Sequence, residues 1–460
     1  MIATECNKRE LPWKEPAEIL LRWPAMTPLL FLGGGGRFSF LATSFWQLST
    51  REFLAQPYTL LLSAPSGEDP SQPCPCGYWG LLSFDDFSPF SSGAGCKPSL
   101  IFRVSQALVF DHMHKKVWLS AFRDCPLRMP PMAPAFHILP DEIEEMFQSS
   151  ASQLRHGRYQ TLTPIPRCLD AHYLDMVSSV LEEIRCGRYY QINLLRYFDL
   201  AESPRRDSLI SLICQRGGPY SALWDTQTFC LASLSPECFI RLQPEAGRIQ
   251  VITCPIKGTI QRSADSAEDK ALRSQLRQSQ KDQAELHMIV DLMRNDLNSI
   301  SRPGSVRVLS PGKLRSFPTV HHLIADIRSQ LSDGLSIGEI FHKLCPAGSI
   351  TGVPKREVME AIRAYEGCHR GYFMGNLFRL GDQGSLDSSV LIRTLWGERS
   401  GDFTPCRFSW AAGSGLTLGS IPECELEEIR IKTRVLEESF RSYWLSDQGD
   451  ENAPAFHSNF

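Results

Sequence analysis

The sequence predicts an α+β fold, in which turn-rich strands are followed by strands that alternate with amphipathic helices. Up to about residue 150, stretches rich in Gly, Ser and Pro interrupt short apolar runs, which is typical of strands joined by turns. From Leu169 onward, apolar residues such as Tyr173, Val177 and Leu181 recur at helical spacing. Apolar runs with strand character, such as 249–253, lie between these helical segments.

This pattern divides the chain into three regions. We expect a variable N-terminal lobe over 1–160, a C-terminal body over 161–445 and a disordered polar tail over 446–460. The predicted strands are 78–84, 116–122, 192–200, 228–233, 249–253, 388–396 and 407–410. The predicted helices are 169–187, a long one at 265–297, 336–344, 355–365 and 425–440.

The composition excludes several classes of function. The chain has 460 residues, and its 48 basic and 51 acidic side chains give a net charge of −3, which leaves no basic surplus for binding nucleic acid or anionic lipid. No apolar run approaches the roughly 18–20 residues that cross a bilayer. Fifteen cysteines without a regular spacing, and no signal-peptide order in residues 1–8, indicate a cytoplasmic protein with reduced thiols.

Two apparent binding motifs have simpler explanations. Cys74 and Cys76, like His112 and His114, have the spacing of metal ligands, but loop cysteines and surface histidines explain them more readily. The segment 348–355 lacks the spacing of a nucleotide-binding loop. It precedes a predicted helix, however, so its backbone N–H groups can meet an anion.

Two pairs of carboxylates are more informative. Asp282 and Glu285 are three residues apart on a predicted helix, and so are Glu425 and Glu428, with Lys432 one turn further. Two such pairs can supply the oxygen ligands that Mg²⁺ takes. Spacing alone, however, favours the alternative that both pairs lie on solvated helix faces.

Three further residues are candidates for chemistry or binding. Lys257 follows an apolar strand and is either a surface ammonium or a nucleophile whose pKa must be lowered. Glu237, at a strand end, can serve as an acid. Arg393 lies in an apolar run, so its guanidinium needs an anionic partner, either a substrate carboxylate or a structural salt bridge.

Eight ordered motifs together resemble the family of chorismate-utilising enzymes, which includes anthranilate, aminodeoxychorismate, isochorismate and salicylate synthases. The motifs are 190–194, 233–237, 255–259, 284–297, 317–323, 348–355, 392–394 and 425–428. The resemblance covers about residues 170–438, and the N-terminal lobe matches only loosely. It implies two large packed antiparallel β-sheets with helices on the outside, and Mg²⁺-dependent chemistry on chorismate.

The resemblance also implies roles for individual residues. Glu285 and Glu428 match the metal ligands, and Asp282 and Glu425 match the residues that support them. Lys257, Glu237 and His322 match catalytic positions. The positions that match substrate contacts or their neighbours are Gln191, Asn193, Thr351, Phe373, Arg393, Gly413, Ser414, Gly415 and Lys432. Phe373 stands where relatives commonly have tyrosine, and Gly419 where they have aspartate.

Two positions indicate the branch of the family. Isochorismate and salicylate synthases have a lysine base where this chain has Gln191, and a glutamine cannot deprotonate water. Anthranilate synthases usually have alanine where this chain has Lys257. Gln191 and Lys257 together therefore resemble aminodeoxychorismate synthase component I. In that enzyme, the resemblance implies, the lysine amine attacks ring C2 while the C4 hydroxyl leaves with the help of an acid. Ammonia then adds at C4 and expels the lysine.

The resemblance further implies partners and a possible second ligand. Ammonia is expected from a glutamine amidotransferase subunit in a heterodimer, and a separate lyase is expected to act on the product. Parts of a pocket that holds L-tryptophan in relatives match Arg37, Phe38, Ser39, Pro219, Tyr220 and Ser221. The alternatives are anthranilate synthase component I and a non-catalytic regulatory paralogue that binds an amidotransferase.

Overall fold

The computed structural model confirms the α+β fold. It describes residues 6–24, 27–33, 37–54, 76–87, 96–122, 135–148, 162–245, 247–316, 320–381, 384–399 and 405–437. The predicted tail over 446–460 lies outside these residues, as does Cys74 of the rejected metal motif. The division of the chain at residue 160 stays a prediction.

The helices follow the apolar spacing of the sequence. In the described residues they are α1 (Pro16–Arg22), α2 (Thr50–Leu54), α3 (Pro140–Gln148), α4 (Asp170–Arg185), α5 (Arg206–Arg216), α6 (Ser266–Gln278), α7 (Gln280–Asn298), α8 (Ile337–Leu344), α9 (Lys355–Glu366) and α10 (Pro422–Glu437). The single long helix predicted over 265–297 is wrong, because the chain breaks at Ser279. The Ser279 hydroxyl accepts a hydrogen bond from the Asp282 backbone N–H at 3.3 Å and so caps α7.

Short strands make up most of the remainder. They are β1 (Cys6–Leu11), β2 (Leu29–Leu32), β3 (Phe38–Leu48), β4 (Gly77–Leu82), β5 (Leu100–Asp111), β6 (Lys116–Phe122), β7 (Ala135–His137), β8 (Pro164–Pro166), β9 (Gln191–Leu200), β10 (Ala222–Asp225), β11 (Phe229–Ser233), β12 (Cys238–Glu245), β13 (Arg248–Thr253), β14 (Ile256–Gln261), β15 (Arg307–Ser316), β16 (Val320–Gln330), β17 (Gly352–Val353), β18 (Asn376–Gly381), β19 (Leu386–Val390), β20 (Thr394–Arg399) and β21 (Pro405–Thr417). The single strand predicted over 388–396 is wrong, because Arg393 has a φ of +50° and the chain turns between β19 and β20.

The strands pair antiparallel throughout the described residues and form two arms that meet at β5. The first arm runs β9, β21, β20, β11, β10, β2, β3 and β5. The second runs β5, β4, β18, β19, β12, β13 and β16, and β14 and β15 also pair with β16. The two predicted sheets are therefore continuous through a shared strand.

Burial in β2 shows how the layers are arranged. All four residues of this strand are buried, and successive side chains point to opposite faces of a sheet. Leu29 and Phe31 belong to the core that the first arm shares with helices such as α4 and α5. Leu30 and Leu32 belong to a second core, which also contains Trp79 of the second arm. The arms thus pack face to face, with helices outside, as predicted.

Replacing Gly80 by alanine tests this packing. Gly80 lies on β4 opposite Phe378 on β18, and an added Cβ would overlap the Phe378 ring and lie 2.9 Å from Ile101. We expect Gly80→Ala to lower the free energy of unfolding by about 1–3 kcal/mol in urea titrations, as overpacked cores do. The matched control is Gly419→Ala, where no atom lies within 4 Å of the added Cβ. Equal stability of the two variants would contradict the described packing.

Candidate active site

A bulge in β14 sets the position of Lys257. Lys257 pairs with Leu323 on β16, whereas Thr259 pairs with the adjacent residue His322, so Gly258 is the extra residue. Gly258 has a φ of +75°, and a Cβ there would lie 3.0 Å from the Asp282 side chain. Both the backbone angle and the close approach of α7 favour glycine.

Three predicted residues converge on Gly415 of β21, which lies opposite Asn193 of β9. A Cβ at Gly415 would lie 3.0 Å from Asn193 Oδ1, 3.3 Å from Gln191 Nε2 and 3.5 Å from Lys257 Nζ. Lys257 of the second arm therefore reaches the first arm, at a point left open by the missing side chain. The Gln191 amide is buried and has no hydrogen-bond partner among the described residues, which is typical of a group that contacts a ligand.

Carboxylates from two helices lie near the Lys257 amine. Burial raises the pKa of Glu285 on α7, and Asp282 and Glu428 add to this increase, while Lys257 opposes it. Burial also acts to raise the pKa of Glu428 on α10, but Lys432 and Lys257 outweigh it, and this pKa falls below its ordinary value. Lys432 donates hydrogen bonds to Glu428 and, at 2.7 Å, to the Gly413 carbonyl, so it positions both groups.

This arrangement fits a divalent cation between α7 and α10. Glu428 lies close enough to act on the Glu285 carboxylate electrostatically. Carboxylates are hard oxygen donors, and Mg²⁺ commonly takes one or two of them together with waters and substrate oxygens. A cation there would offset the repulsion that contributes to the raised pKa of Glu285. Glu425, on the same helix as Glu428, is buried and lies close enough to Tyr173 to influence its pKa.

The four acidic residues do not form a compact cluster. In the described part of the chain, a different set of side chains does form one. The ligand atoms of Asp85, Cys96 and His369 lie within 4.8 Å of one another. Among the described residues, the sequence-predicted acidic pairs therefore do not form a closed cage of ligands. The assignment of individual ligands stays a prediction.

Glu237 has the environment of a general acid. It is buried, and burial raises its pKa against the opposing effects of Lys257, a hydrogen bond from Ser349 and Arg393. The Ser349 hydroxyl donates to Glu237 Oε1 at 3.2 Å. Sequence reasoning missed Ser349 as a partner of Glu237, although it singled out the segment 348–355 to which Ser349 belongs.

Arg393 lies close enough to both Glu237 and His322 to act on them electrostatically. Arg393 forms no ion pair with any described residue, and burial lowers its pKa while Glu237 opposes this effect. This finding disfavours the structural salt bridge and favours a bound anion as its partner. Burial, and then Arg393, lower the pKa of His322 to about 4, so its imidazole is neutral near pH 7. His322 Nδ1 shares a 2.8 Å hydrogen bond with the Thr259 hydroxyl.

Asn193 and Thr351 hold the loop before α9. The Asn193 backbone N–H and side-chain Nδ2 donate to the Thr351 carbonyl at 2.7 and 3.1 Å. The Thr351 hydroxyl donates to the Ala347 carbonyl at 3.0 Å, so this hydroxyl closes its own turn. Ser414 is buried, with its hydroxyl 3.5 Å from the Tyr173 hydroxyl. Substrate contacts of these residues stay predictions.

A buried ion pair stabilises β9 next to the candidate site. Arg370 and Glu366 have almost fully buried side chains, and Arg370 Nη2 donates to the Asn193 carbonyl at 2.7 Å. Glu366 accepts from the Leu195 backbone N–H at 2.9 Å. Sequence reasoning missed this pair, because its spacing at a helix end is also that of an ordinary surface ion pair.

The Tyr372 hydroxyl does not replace the tyrosine that relatives have at position 373. Phe373 is buried against the rings of Tyr197 and Trp396, at centroid distances of 5.9 and 6.1 Å. The adjacent Tyr372 hydroxyl donates to the Pro98 carbonyl at 2.9 Å. A hydroxyl contact to the substrate at this place is therefore not supplied by Tyr372.

The predicted tryptophan residues are only partly brought together. Tyr220 and Ser221 line a cavity of about 40 Å³ with Phe40, Arg379 and Asp387 among others. The remaining predicted residues make other contacts: Arg37 pairs with Asp111, the Phe38 ring lies against Trp118, Ser39 shares a hydrogen bond with His112, and Pro219 lies in the turn before Tyr220. Binding of L-tryptophan stays a prediction.

A comparison with known families tests the resemblance that the ordered motifs predict. The model of the chorismate binding enzyme family matches residues 38–438. The chain belongs to this family. The match confirms the resemblance and extends it into the N-terminal region, where the sequence motifs match only loosely.

Curated relatives come from two branches of the family. The chain is 32% identical over 327 residues to aminodeoxychorismate synthase component 1 of Salmonella typhimurium, covering 70% of this chain and 66% of that protein. It is 35% identical over 257 residues to the Escherichia coli protein of the same name, covering 56% of this chain and 54% of that protein. The chain thus spans less than two thirds of the length of these relatives. A pyocyanine-specific anthranilate synthase component 1 of Pseudomonas aeruginosa is 30% identical over 371 residues, covering 77% of this chain and 67% of that protein.

Solved structures agree on the fold. Anthranilate synthase component I from Streptococcus pneumoniae superposes with a TM-score of 0.71 at 23% identity, covering 87% of this chain and 92% of that chain. The menaquinone-specific isochorismate synthase from Escherichia coli gives 0.69 at 17% identity, with 94% of both chains covered. At these identities the likeness supports the fold alone. No helix among the described residues has the length and hydropathy needed to cross a bilayer.

The lowered pKa of His322 predicts how stability depends on pH. The pKa is about 4 in the folded protein, below the ordinary value of 6.5, so the unfolded chain takes up this proton first as the pH falls. The contribution of the neutral His322 side chain to the free energy of unfolding is present above pH 6.5 and is lost as the pH falls toward 4. Between pH 6.5 and about pH 5 the expected loss is about 2 kcal/mol, since one pKa unit corresponds to about 1.4 kcal/mol.

Urea titrations at several pH values measure this effect. On acidification from pH 6.5 to about pH 5, the free energy of unfolding of His322→Gln is expected to fall by about 2 kcal/mol less than that of the unchanged protein. The exposed residue His287 on α7 supplies the control, and His287→Gln is expected to keep the original pH dependence. The assignment is wrong if both variants lose stability equally on acidification.

Proposed function

We propose that the protein converts chorismate and ammonia to 4-amino-4-deoxychorismate, as the name aminodeoxychorismate synthase component 1 describes for its relatives. The observation that carries this proposal is the position of the Lys257 amine beside Gly415, Gln191 and Asn193, with Glu237 and His322 nearby. By resemblance, a lysine at position 257 distinguishes the aminodeoxychorismate synthases from the anthranilate synthases, which usually have alanine there.

Two sets of groups are proposed to hold the two carboxylates of chorismate. Arg393, whose guanidinium pairs with no described carboxylate, binds the enolpyruvyl carboxylate as an ion pair. The backbone over 413–415 holds the ring carboxylate. Glu285 and Glu428 would hold Mg²⁺, which supplies positive charge to neutralise that carboxylate.

Lys257, Glu237 and His322 are proposed to carry the chemistry. The neutral amine of Lys257 forms a bond to ring C2 as the C4–O bond breaks, and Glu237 donates its proton so that the hydroxyl leaves as water. Ammonia then forms a bond to C4, and the bond from C2 to Lys257 breaks, which returns the amine. His322, neutral near pH 7, lies beside Arg393 and contributes a polar contact to the ring without a further charge.

We also propose a partner subunit that supplies ammonia and a separate enzyme that acts on the product. Ammonia would come from a glutamine amidotransferase subunit in a heterodimer, and a separate lyase would release pyruvate from the product. The reduced cysteines and lack of a charge surplus are compatible with a cytoplasmic protein. The alternative activity, anthranilate synthase, is kept because three relatives at 29%, 30% and 31% identity have that name.

Product analysis tests the proposed function. The protein is incubated with chorismate, Mg²⁺ and an ammonium salt at alkaline pH, and the products are separated by liquid chromatography. We expect 4-amino-4-deoxychorismate, which added lyase converts to p-aminobenzoate. Fluorescent anthranilate without added lyase would identify the rival enzyme, and no turnover despite partner binding would indicate a non-catalytic paralogue.

Replacing Lys257 tests the nucleophile. We expect Lys257→Met to lower the rate of aminodeoxychorismate formation by about 100-fold or more, because the amine that displaces the C4 hydroxyl is lost. The control is Lys281→Met, since Lys281 lies 3.9 Å from Glu285 and also acts on the same carboxylates, but has an exposed side chain. A rate of Lys257→Met equal to that of the control would remove the covalent step and leave the family assignment intact.

Replacing Glu285 tests the proposed metal site. Glu285→Gln keeps the shape of the side chain and removes its charge, so the Mg²⁺ concentration for half-maximal rate is expected to rise about tenfold or more. The exposed Glu423 on α10 gives the control Glu423→Gln, whose Mg²⁺ dependence should stay unchanged. An unaltered Mg²⁺ dependence of Glu285→Gln would exclude this residue as a ligand.

A further inference from the structure

Three side chains with metal-ligand chemistry meet outside the proposed active site. Asp85 follows β4, Cys96 precedes β5 and His369 follows α9, and one ligand atom from each lies within 4.8 Å of the other two. Asp85 and Cys96 are eleven residues apart, whereas His369 lies 273 residues beyond Cys96, so tertiary structure brings the histidine to the other two. Neither the predicted Mg²⁺ site nor the ordered sequence motifs contain them.

The His369 imidazole lacks the hydrogen bonds that a buried structural histidine normally makes. Its side chain is 6% exposed, and its Nε2 is buried without a hydrogen-bond partner among the described residues. Its Nδ1 lies 3.5 Å from Asp85 Oδ1, which is longer than an ordinary hydrogen bond. The other carboxylate oxygen of Asp85 accepts from the Gly371 backbone N–H at 2.9 Å, which orients the carboxylate. A buried imidazole in this state indicates a missing partner.

The surrounding charges also favour a bound cation. Asp85 and Asp86 both lie close enough to Cys96 to act on it electrostatically, as do Arg363 and Lys97. Asp86 Oδ2 accepts from the Ser99 backbone N–H at 2.8 Å. Asp85 is the carboxylate with an oxygen within 4.8 Å of ligand atoms of both Cys96 and His369, and a metal there would take the place of the thiol proton.

We propose that Asp85, Cys96 and His369 form a binding site for Zn²⁺ or a similar divalent transition metal. A sulfur, nitrogen and oxygen donor set suits Zn²⁺, whose bonds of about 2.0–2.3 Å place tetrahedral ligands about 3.3–3.8 Å apart. The ligand atoms, within 4.8 Å of one another, need to move by only about 1 Å to reach this geometry. Binding forms a Zn–S bond and releases the thiol proton to solvent, and a water molecule completes the fourth position.

The chemistry of the donors distinguishes this site from the acidic one. Thiolate and imidazole favour Zn²⁺ over Mg²⁺, whereas the carboxylates of Glu285 and Glu428 favour Mg²⁺. The proposed ion would join the segment after β4 to the turn at Gly371. The residue between His369 and that turn is Arg370, which holds the Asn193 carbonyl, so the ion would stabilise a support of the active site.

Metal titration of the full chain tests this proposal without an activity measurement. The protein is stripped with a chelator, reduced and titrated with Zn²⁺ in excess Mg²⁺, which occupies the acidic site. We expect one Zn²⁺ per chain and a higher melting temperature. Cys96→Ser and His369→Ala are expected to lose both effects, whereas Cys186→Ser, which changes the exposed cysteine directly after α4, should keep them.

Cobalt substitution provides a second measurement that needs no variant. Co²⁺ bound to the unchanged protein is expected to show a thiolate-to-cobalt charge-transfer band, which disappears when Zn²⁺ is added. Absence of this band, or Zn²⁺ binding that is equal in Cys96→Ser and the unchanged protein, would overturn the proposed site.

Discussion

The concentration of charge around Lys257 is the constraint on which the proposed site depends. Lys257 and Arg393 share a partly desolvated space with Glu237, Glu285 and Glu428, yet neither cation forms an ion pair with a described residue. Buried charges without partners lower the stability of a folded protein, and such an arrangement is rarely kept for structural reasons alone. A dianionic ligand together with a divalent cation would satisfy the unpaired groups on both sides.

The fold brings these charges together from segments that are far apart in sequence. Lys257 and His322 lie on β14 and β16 at the end of the second arm, and Gly415 lies on β21 at the end of the first. The bulge at Gly258 and the absence of a side chain at Gly415 let the lysine cross from one arm to the other. The buried pair of Arg370 and Glu366 then holds β9 against the loop before α9. Small backbone features, rather than flexible loops, thus position the amine.

Local signals in the sequence predicted several elements well. Ser336 and Glu339 form a capping box at the start of α8, and the predicted helix over 336–344 agrees with the structure. Lys257, Glu237 and Arg393 were predicted from their local context and His322 from the resemblance, and the four lie near one another in the structure. Their motifs made the family recognisable, because each motif combines a special residue with a fixed local context.

The sequence did not predict features that depend on competition between local signals or on contacts between residues far apart in the chain. Ser279 ends one helix and caps the next, although the apolar pattern continues through it. Arg393 interrupts an apolar run because its backbone adopts a left-handed conformation, which residue type alone does not indicate. The hydrogen bond from Ser349 to Glu237 joins residues more than 100 positions apart, and so does the contact of His369 with Asp85 and Cys96. Such partners become visible only once the strands have paired.

Trapping the adduct between substrate and enzyme tests whether Lys257 forms a covalent bond to the ring. The protein is mixed with chorismate and Mg²⁺ without ammonia, quenched with acid and digested, and the peptide that contains Lys257 is analysed by mass spectrometry. We expect a mass increase equal to chorismate minus water on the Lys257 amine, which disappears when ammonium is added before the quench. An unmodified Lys257 in an enzyme that forms 4-amino-4-deoxychorismate at its full rate would rule out the covalent step.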